Sequence, residues 1–154
     1  MGFLKGQDII SGQEATVFAN IDGKNVEMFY VKNFEAIMEK NKEEIKTIGK
    51  RGTQHKTVGF SGTGSMTCYH VTSMFAEMAQ KYINEGKDTF FDVKVTNDDP
   101  TSSVGRQTVL IKQVNLDSIP IAMVDVDSSG LEEELAFTWD GFELLEKFKE
   151  PVLG

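Results

Sequence analysis

Residues 52–71 read GTQHKTVGFSGTGSMTCYHV, and the alternation within them decides the fold. Thr53, His55, Thr57, Gly59, Ser61, Thr63, Ser65, Thr67 and Tyr69 make one set. Gln54, Lys56, Val58, Phe60, Gly62, Gly64, Met66, Cys68 and His70 make the other. Successive strand side chains point to opposite faces, so the first set forms a stripe of small hydroxyl chemistry. Strands usually run to about five or six residues. One this long, with a polar face, points to a sheet that outruns a single compact core, toward a neighbour or a wetted channel. A bent surface hairpin of a small β domain fits the same pattern. Glycines at 59, 62 and 64 allow a kink, a bulge or close approach of another backbone.

On the N-terminal side, residues 15–21 and 26–31 are two β-prone runs separated by Asp22-Gly23-Lys24-Asn25. Asp-Gly tolerates positive φ at both positions and predicts a hairpin. The preceding arm, 1–14, is polar and glycine-containing: a disordered terminus, or a strap that orders on a partner. Residues 33–49 satisfy two periods. Phe34, Ile37, Met38, Ile45 and Ile48 fit a helical face with Asn33 as N-cap, while Glu35, Ile37 and Glu39 alternate with Ala36 and Met38 as a strand would. In the strand reading 39–51 follows as a solvated, extended loop ending in the basic pair Lys50-Arg51.

On the C-terminal side, 72–85 predicts a helix. Phe75, Met78, Ala79 and Tyr82 form one apolar stripe, Thr72 or Ser73 caps the start, and Gly86 ends it. Strands are expected at 89–96, 106–116, 119–126 and 131–139, with a turn cluster at 97–103 and a short amphipathic segment at 142–148. Seven or eight strands and one helix make a mainly β sandwich or barrel with the helix packed outside it.

Composition narrows the function classes. The 154 residues fit one domain, and 40% hydrophobic content with 11 phenylalanines is enough for a real core. One cysteine excludes an internal disulfide. No apolar run reaches transmembrane length, and Met1-Gly2-Phe3-Leu4-Lys5 lacks the apolar core of a signal peptide, so no membrane partner is expected. A net charge of −8 disfavours general DNA binding, because phosphate contacts need Lys and Arg. It keeps a protein soluble, and it suits a surface that nucleic acid must pass without adhering.

Enzymatic and metal motifs come close and fail. Asp125, Asp127, Ser129 and Gly130 open like a calcium loop, but Ala136 stands where the bidentate Glu belongs. Gly59, Gly62 and Gly64 lack the lysine of a phosphate loop and the third glycine of a dinucleotide fingerprint. Cys68 and His70 share a strand face without a recognisable orienting group or oxyanion site, so a buried Cys and a satisfied His are expected there. Neither a catalytic residue nor a cofactor or metal site is assigned.

Several strings in combination resemble the tail tube proteins of contractile phages, above all the phage-like element PBSX type of Gram-positive hosts. They are Lys40-Asn41-Lys42-Glu43-Glu44, Ile48-Gly49-Lys50-Arg51-Gly52, Gln54-His55-Lys56 and Gly62-Thr63-Gly64-Ser65-Met66-Thr67. The likeness continues through Phe91-Asp92-Val93, the stretch 97–108, Val114-Asn115-Leu116-Asp117, Leu131-Glu132-Glu133-Glu134 and Phe137-Thr138-Trp139. It covers nearly the whole chain. The resemblance implies a β-sandwich with a flanking helix, no catalytic residues, and an extended conformation for 34–39. It implies hexameric rings stacked into a hollow tube, with inner strands joined across subunits into one barrel. The implied partners are other copies of the chain, a sheath, a tape-measure protein, a baseplate, and DNA that slides through without specific binding. The implied place is a virion tail assembled in the bacterial cytoplasm.

On that basis the hydroxyl face, Thr57, Ser61, Thr63, Ser65 and Thr67, is expected to line the lumen. Phe3 and Leu4 in the arm, and Lys42, Glu44, Lys50 and Arg51 in the loop, are expected to grip adjacent subunits. Two alternatives share the residues: the tube of a phage-tail-like bacteriocin or secretion particle, and a small ligand-binding β barrel using Cys68 and His70.

Overall fold

A computed structural model describes residues 2–154. After a single 3-10 turn at Gly6–Asp8 come β1 (Ala15–Ile21), β2 (Lys24–Glu27), β3 (Val31–Ile45) and β4 (Gln54–Tyr69). The helix α1 (Met74–Glu85) follows, then β5 (Phe91–Asp98), β6 (Arg106–Leu116), β7 (Glu132–Trp139) and β8 (Gly141–Glu146). The mainly β architecture with a single flanking helix is the one expected from the sequence. Neighbours are antiparallel in the order β2-β1-β5-β6-β7-β4-β3, with β8 also pairing β6.

The corner of the fold is β6. Its first part pairs with β5 and β8, and its last residues, Asn115 and Leu116, pair with Thr138 and Phe137 of β7. Gln113, just before the switch, has φ 57°, a left-handed conformation that costs a non-glycine residue roughly 1 kcal/mol. Its N–H donates to Asp92 Oδ1 at 3.2 Å. The turn lets two sheets face each other across one core. Ala19, Val93 and Ile111 come from one sheet, Met66, Leu135, Phe137 and Trp139 from the other, and Phe75 from α1. The strand path does not close, because β2 and β3 stand at its two ends.

The Asp22-Gly23 hairpin forms with φ 52° and 80°, and Ile21 pairs Lys24 across a two-residue turn. The second strand therefore starts two residues before the expected run and stops at Glu27. Met28 and Tyr30 then turn inward while Phe29 faces out. Residues 33–45 form strand, not helix, and 39–45 continue β3 where a loop was expected, because β4 pairs with them, whereas 46–49 leave the ladder in a turn. The expected strand at 119–126 is an irregular segment. Pro120 offers no N–H to a ladder, and Val124 and Val126 stand almost wholly in solvent. The segment expected at 142–148 is strand only as far as Glu146, within β8.

Thr72 Oγ1 accepts from the Met74 N–H at 3.2 Å at the start of α1, and Gly86, at φ 71°, donates its N–H to the Tyr82 carbonyl at 2.8 Å. The apolar stripe is covered only at its N-terminal end: Phe75 is buried, while Tyr82 and its neighbour Ile83 are open.

The N-terminal arm is a strap held by its own chain. Asp8 is buried, and its Oδ1 accepts from the Ser103 N–H at 2.8 Å and the Ser103 hydroxyl at 2.7 Å. Asp99, also buried, accepts from Ser11 N–H and Thr101 N–H at 3.0 Å each and from the Thr101 hydroxyl at 2.6 Å. Beyond them Phe3 and Gly154 exchange backbone hydrogen bonds of 3.0 and 2.9 Å. The Ser103 backbone and hydroxyl bonds hold the Asp8 carboxyl below the usual aspartate value of 3.8, and the Thr101 hydroxyl, with the Ser11 and Thr101 amides, does the same for Asp99. A lowered folded-state value means stability that is complete above the ordinary range and lost as pH falls through the lowered one. Hydrogen exchange at the Ser11, Thr101 and Ser103 amides is therefore expected to show protection at neutral pH that is lost, ahead of the core strands, once the pH falls below the ordinary aspartate range. Equal protection at both pH values would show that the carboxylates do not hold the strap.

Candidate assembly surface

The two halves of β4 have different surroundings. From Gly62 to Tyr69 it is flanked by β3 on one side and β7 on the other. Here Gly62, Met66 and Cys68 are buried, Gly64 is partly covered, and Ser61, Thr63 and Ser65 face outward with Thr67. The two inner glycines serve aromatic rings. Gly62 pairs with Trp139 and Gly64 with Phe137, and each ring lies directly over the glycine opposite it. Trp139 fixes its position by donating Nε1–H to the Thr63 carbonyl at 2.9 Å, and Phe137 stacks on Phe34 at 5.3 Å.

From Gln54 to Ser61 the strand has lost β7 and pairs only with β3. Residues 39–61 are exposed on both faces. The result is a two-stranded arm that carries Ile45, Ile48, Val58 and Phe60 into solvent. The far edge of β3, 15 residues long, faces no strand among the described residues. A long open edge with apolar side chains invites pairing with another chain unless something covers it.

The register corrects the expected stripe at one position. Asn41 pairs with Gly59 but Lys42 pairs with Thr57, so Val58 is an extra residue in β4, a β-bulge. Lys42 lies on the opposite face from Asn41, and Thr57 goes with it. Strict alternation had placed Thr57 beside Ser61. The stripe that stays together is Ser61, Thr63, Ser65 and Thr67. Its same-face neighbours are Glu35, Ile37 and Glu39 across β3, and Glu134, Ala136 and Thr138 across β7. This outer face is hydroxyl- and carboxylate-rich. Lys42, Glu44, Lys50 and Arg51 all lie on the arm, exposed, whereas Phe3 and Leu4, also exposed, belong to the strap beside Gly154.

The pair Cys68 and His70 is not arranged for catalysis. His70 Nδ1 is engaged by Glu133 Oε1, and Cys68 is fully buried. Burial, with the neighbouring Glu133 charge, pushes the thiol up to about 12, far from the thiolate a nucleophile needs. Burial raises the Tyr30 phenol to about 12 as well, with Cys68 and Glu133 adding to it. Sequence reading passed over Glu133. Its signal was parity: it shares a face with the buried Leu135, Phe137 and Trp139. Asp125 turns its carboxylate onto its own loop, accepting from the Asp127 N–H at 3.0 Å.

A family model described as phage tail tube protein matches residues 2–146. The chain belongs to that family. It is 44% identical over 147 residues to the phage-like element PBSX protein XkdM of Bacillus subtilis (strain 168), covering 96% of this chain and 97% of that one. The fold is shared with much more distant proteins. A chain from a sheath–tube complex of an extracellular contractile injection system aligns with TM-score 0.65 at 10% identity, over 94% of this chain and 93% of that one. A chain from the tube-terminating cap of the anti-feeding prophage aligns with TM-score 0.68 at 10% identity, over 92% and 94%. The protein is thus a structural subunit of a phage tail tube, of the PBSX type anticipated from its sequence strings.

Proposed function

We propose that the chain forms the inner tube of a contractile tail, as hexameric rings stacked into a hollow conduit. The polar outer face around Ser61, Thr63, Ser65 and Thr67 lines the lumen. The arm of β3 and β4 reaches an adjacent copy, and the strap residues Phe3 and Leu4 add a second contact. A sheath surrounds the tube, a tape-measure protein occupies it before DNA, and a baseplate seeds it. The site of action is the virion tail, after assembly in the host cytoplasm, and the role is non-enzymatic. The observation that carries this reading is the arm itself. A lone globule gains nothing from 23 residues exposed on both faces and an uncovered strand edge.

Glu35, Glu39 and Glu134 place carboxylates along the lumen, and carboxylates repel phosphates, so DNA slides without capture. The test of the assembly role replaces residues 42–58 with an Asn-Gly turn, which closes the hairpin at the Asn41–Gly59 pair. The shortened chain is expected to keep its circular dichroism and cooperative melt, yet to give no tubes by negative-stain microscopy when seeded with tail fragments. Tubes of normal length from the shortened chain would sink the reading.

A further inference from the structure

Charge is unevenly divided between arm and body. Residues 40–56 hold six of the 16 lysines and arginines but only two of the 24 acidic residues. That stretch carries +4 in a chain of −8, so the remainder carries −12. Among the described residues, the ion pairs are Lys32–Glu132, His70–Glu133, Arg106–Glu146 and Lys112–Glu143, and none involves an arm cation. At the tip, Ile48 is fully exposed between Lys46 and the Lys50-Arg51 pair. The arm therefore ends in an apolar knob flanked by unpaired cations.

The body carries an apolar groove edged by carboxylates, opposite in charge to the tip. The uncovered end of α1 and the irregular segment after β6 enclose a groove of about 440 Å³. Its walls are Met78, Tyr82, Ile83 and Ile121, and Asp88 and Asp117 line it as well. Tyr82, Ile83 and Ile121 are exposed, which is why the apolar stripe of α1 is only half covered in the single subunit.

We infer that this groove receives the arm tip of a second copy of the chain, with Ile48 between the apolar walls and Lys50 and Arg51 against Asp88 and Asp117. This rests on the tube reading and names the acceptor within it. Arm-to-arm contact would set +4 against +4 and is disfavoured. A contact between two different patches is heterologous, the kind that propagates into rings and filaments instead of stopping at a dimer.

Two exposed-residue variants test it. One reverses the tip, Lys50→Glu with Arg51→Glu. The other reverses the groove, Asp88→Lys with Asp117→Lys. Each alone sets like charges together and is expected to raise the concentration needed for seeded tube growth by about tenfold or more. Mixed in equal amounts they restore opposite charges between unlike copies, so the mixture is expected to grow at close to the wild-type concentration. Should either variant melt below wild type, Lys46→Glu with Lys50→Glu and Glu85→Lys with Asp88→Lys take their place. If a single variant polymerises as wild type does, or the mixture does no better than its parts, the groove assignment is overturned while the tube stands. If wild type itself gives no seeded tubes, the tube reading fails and this inference falls with it.

Discussion

Gly64→Ala is expected to destabilise the subunit by about 3 kcal/mol, at the upper end of overpacking costs. The added Cβ would meet the Glu35 carbonyl at 2.5 Å and the Phe137 ring. Neither can withdraw easily. The carbonyl belongs to the backbone of β3, and the ring is held from behind by its stack on Phe34. In a domain of this size each kcal/mol moves the midpoint by about 2–4 °C, so a drop of about 6–12 °C is anticipated. Gly59→Ala is the control. Its Cβ would meet only Asn41 Nδ2, at an ordinary 3.7 Å, and its melt should stay within a few degrees of wild type. Differential scanning calorimetry of the two separates the cases. Equal melts would mean that close approach of Phe137 is not what Gly64 supplies.

Changing the sign of the polar face should have the second large effect. Glu35, Glu39 and Glu134 sit opposite Ser65, Ser61 and Thr67 on neighbouring strands. Replacing all three by Lys takes the chain from −8 to −2 and puts the added cations on one face. Assembled wild-type tubes are expected to let short duplex DNA pass or wash away. Tubes of the triple variant should retain it at 50 mM salt and release it by 200 mM, with affinity falling about a thousandfold between the two. If the variant tubes hold no more DNA than wild type, these glutamates do not face the lumen.

Much of the architecture could be read from the chain because local chemistry and tertiary demand agreed. Asp22-Gly23 had one use, β6 kept its predicted bounds of 106–116, and the alternation of Leu135, Phe137 and Trp139 marked a half-buried strand. The failures came where two periods competed or where a partner decided. Residues 33–45 fit helix and strand alike, and only pairing with β4 selects the strand. Val124 and Val126 look like strand residues but have no ladder to join. The extra residue at Val58 shifts side chains between faces, and counting by twos cannot see it, which is how Thr57 was misplaced. That the strap orders on its own chain could not be read, because its anchors, Asp8 to Ser103 and Asp99 to Ser11, lie about ninety residues apart. The surface residues of the arm were legible as a cluster, whereas the groove needed the fold to bring α1 beside residues 117–121.

Cys68 has a practical consequence. It is the chain's single sulfhydryl, shut inside the sandwich and held protonated at any pH a labelling reaction uses. A cysteine introduced on the surface would therefore be the one reactive handle on each subunit. A fluorophore, a spin probe or a tethered cargo could be attached there once per copy, with no need to strip the native residue first.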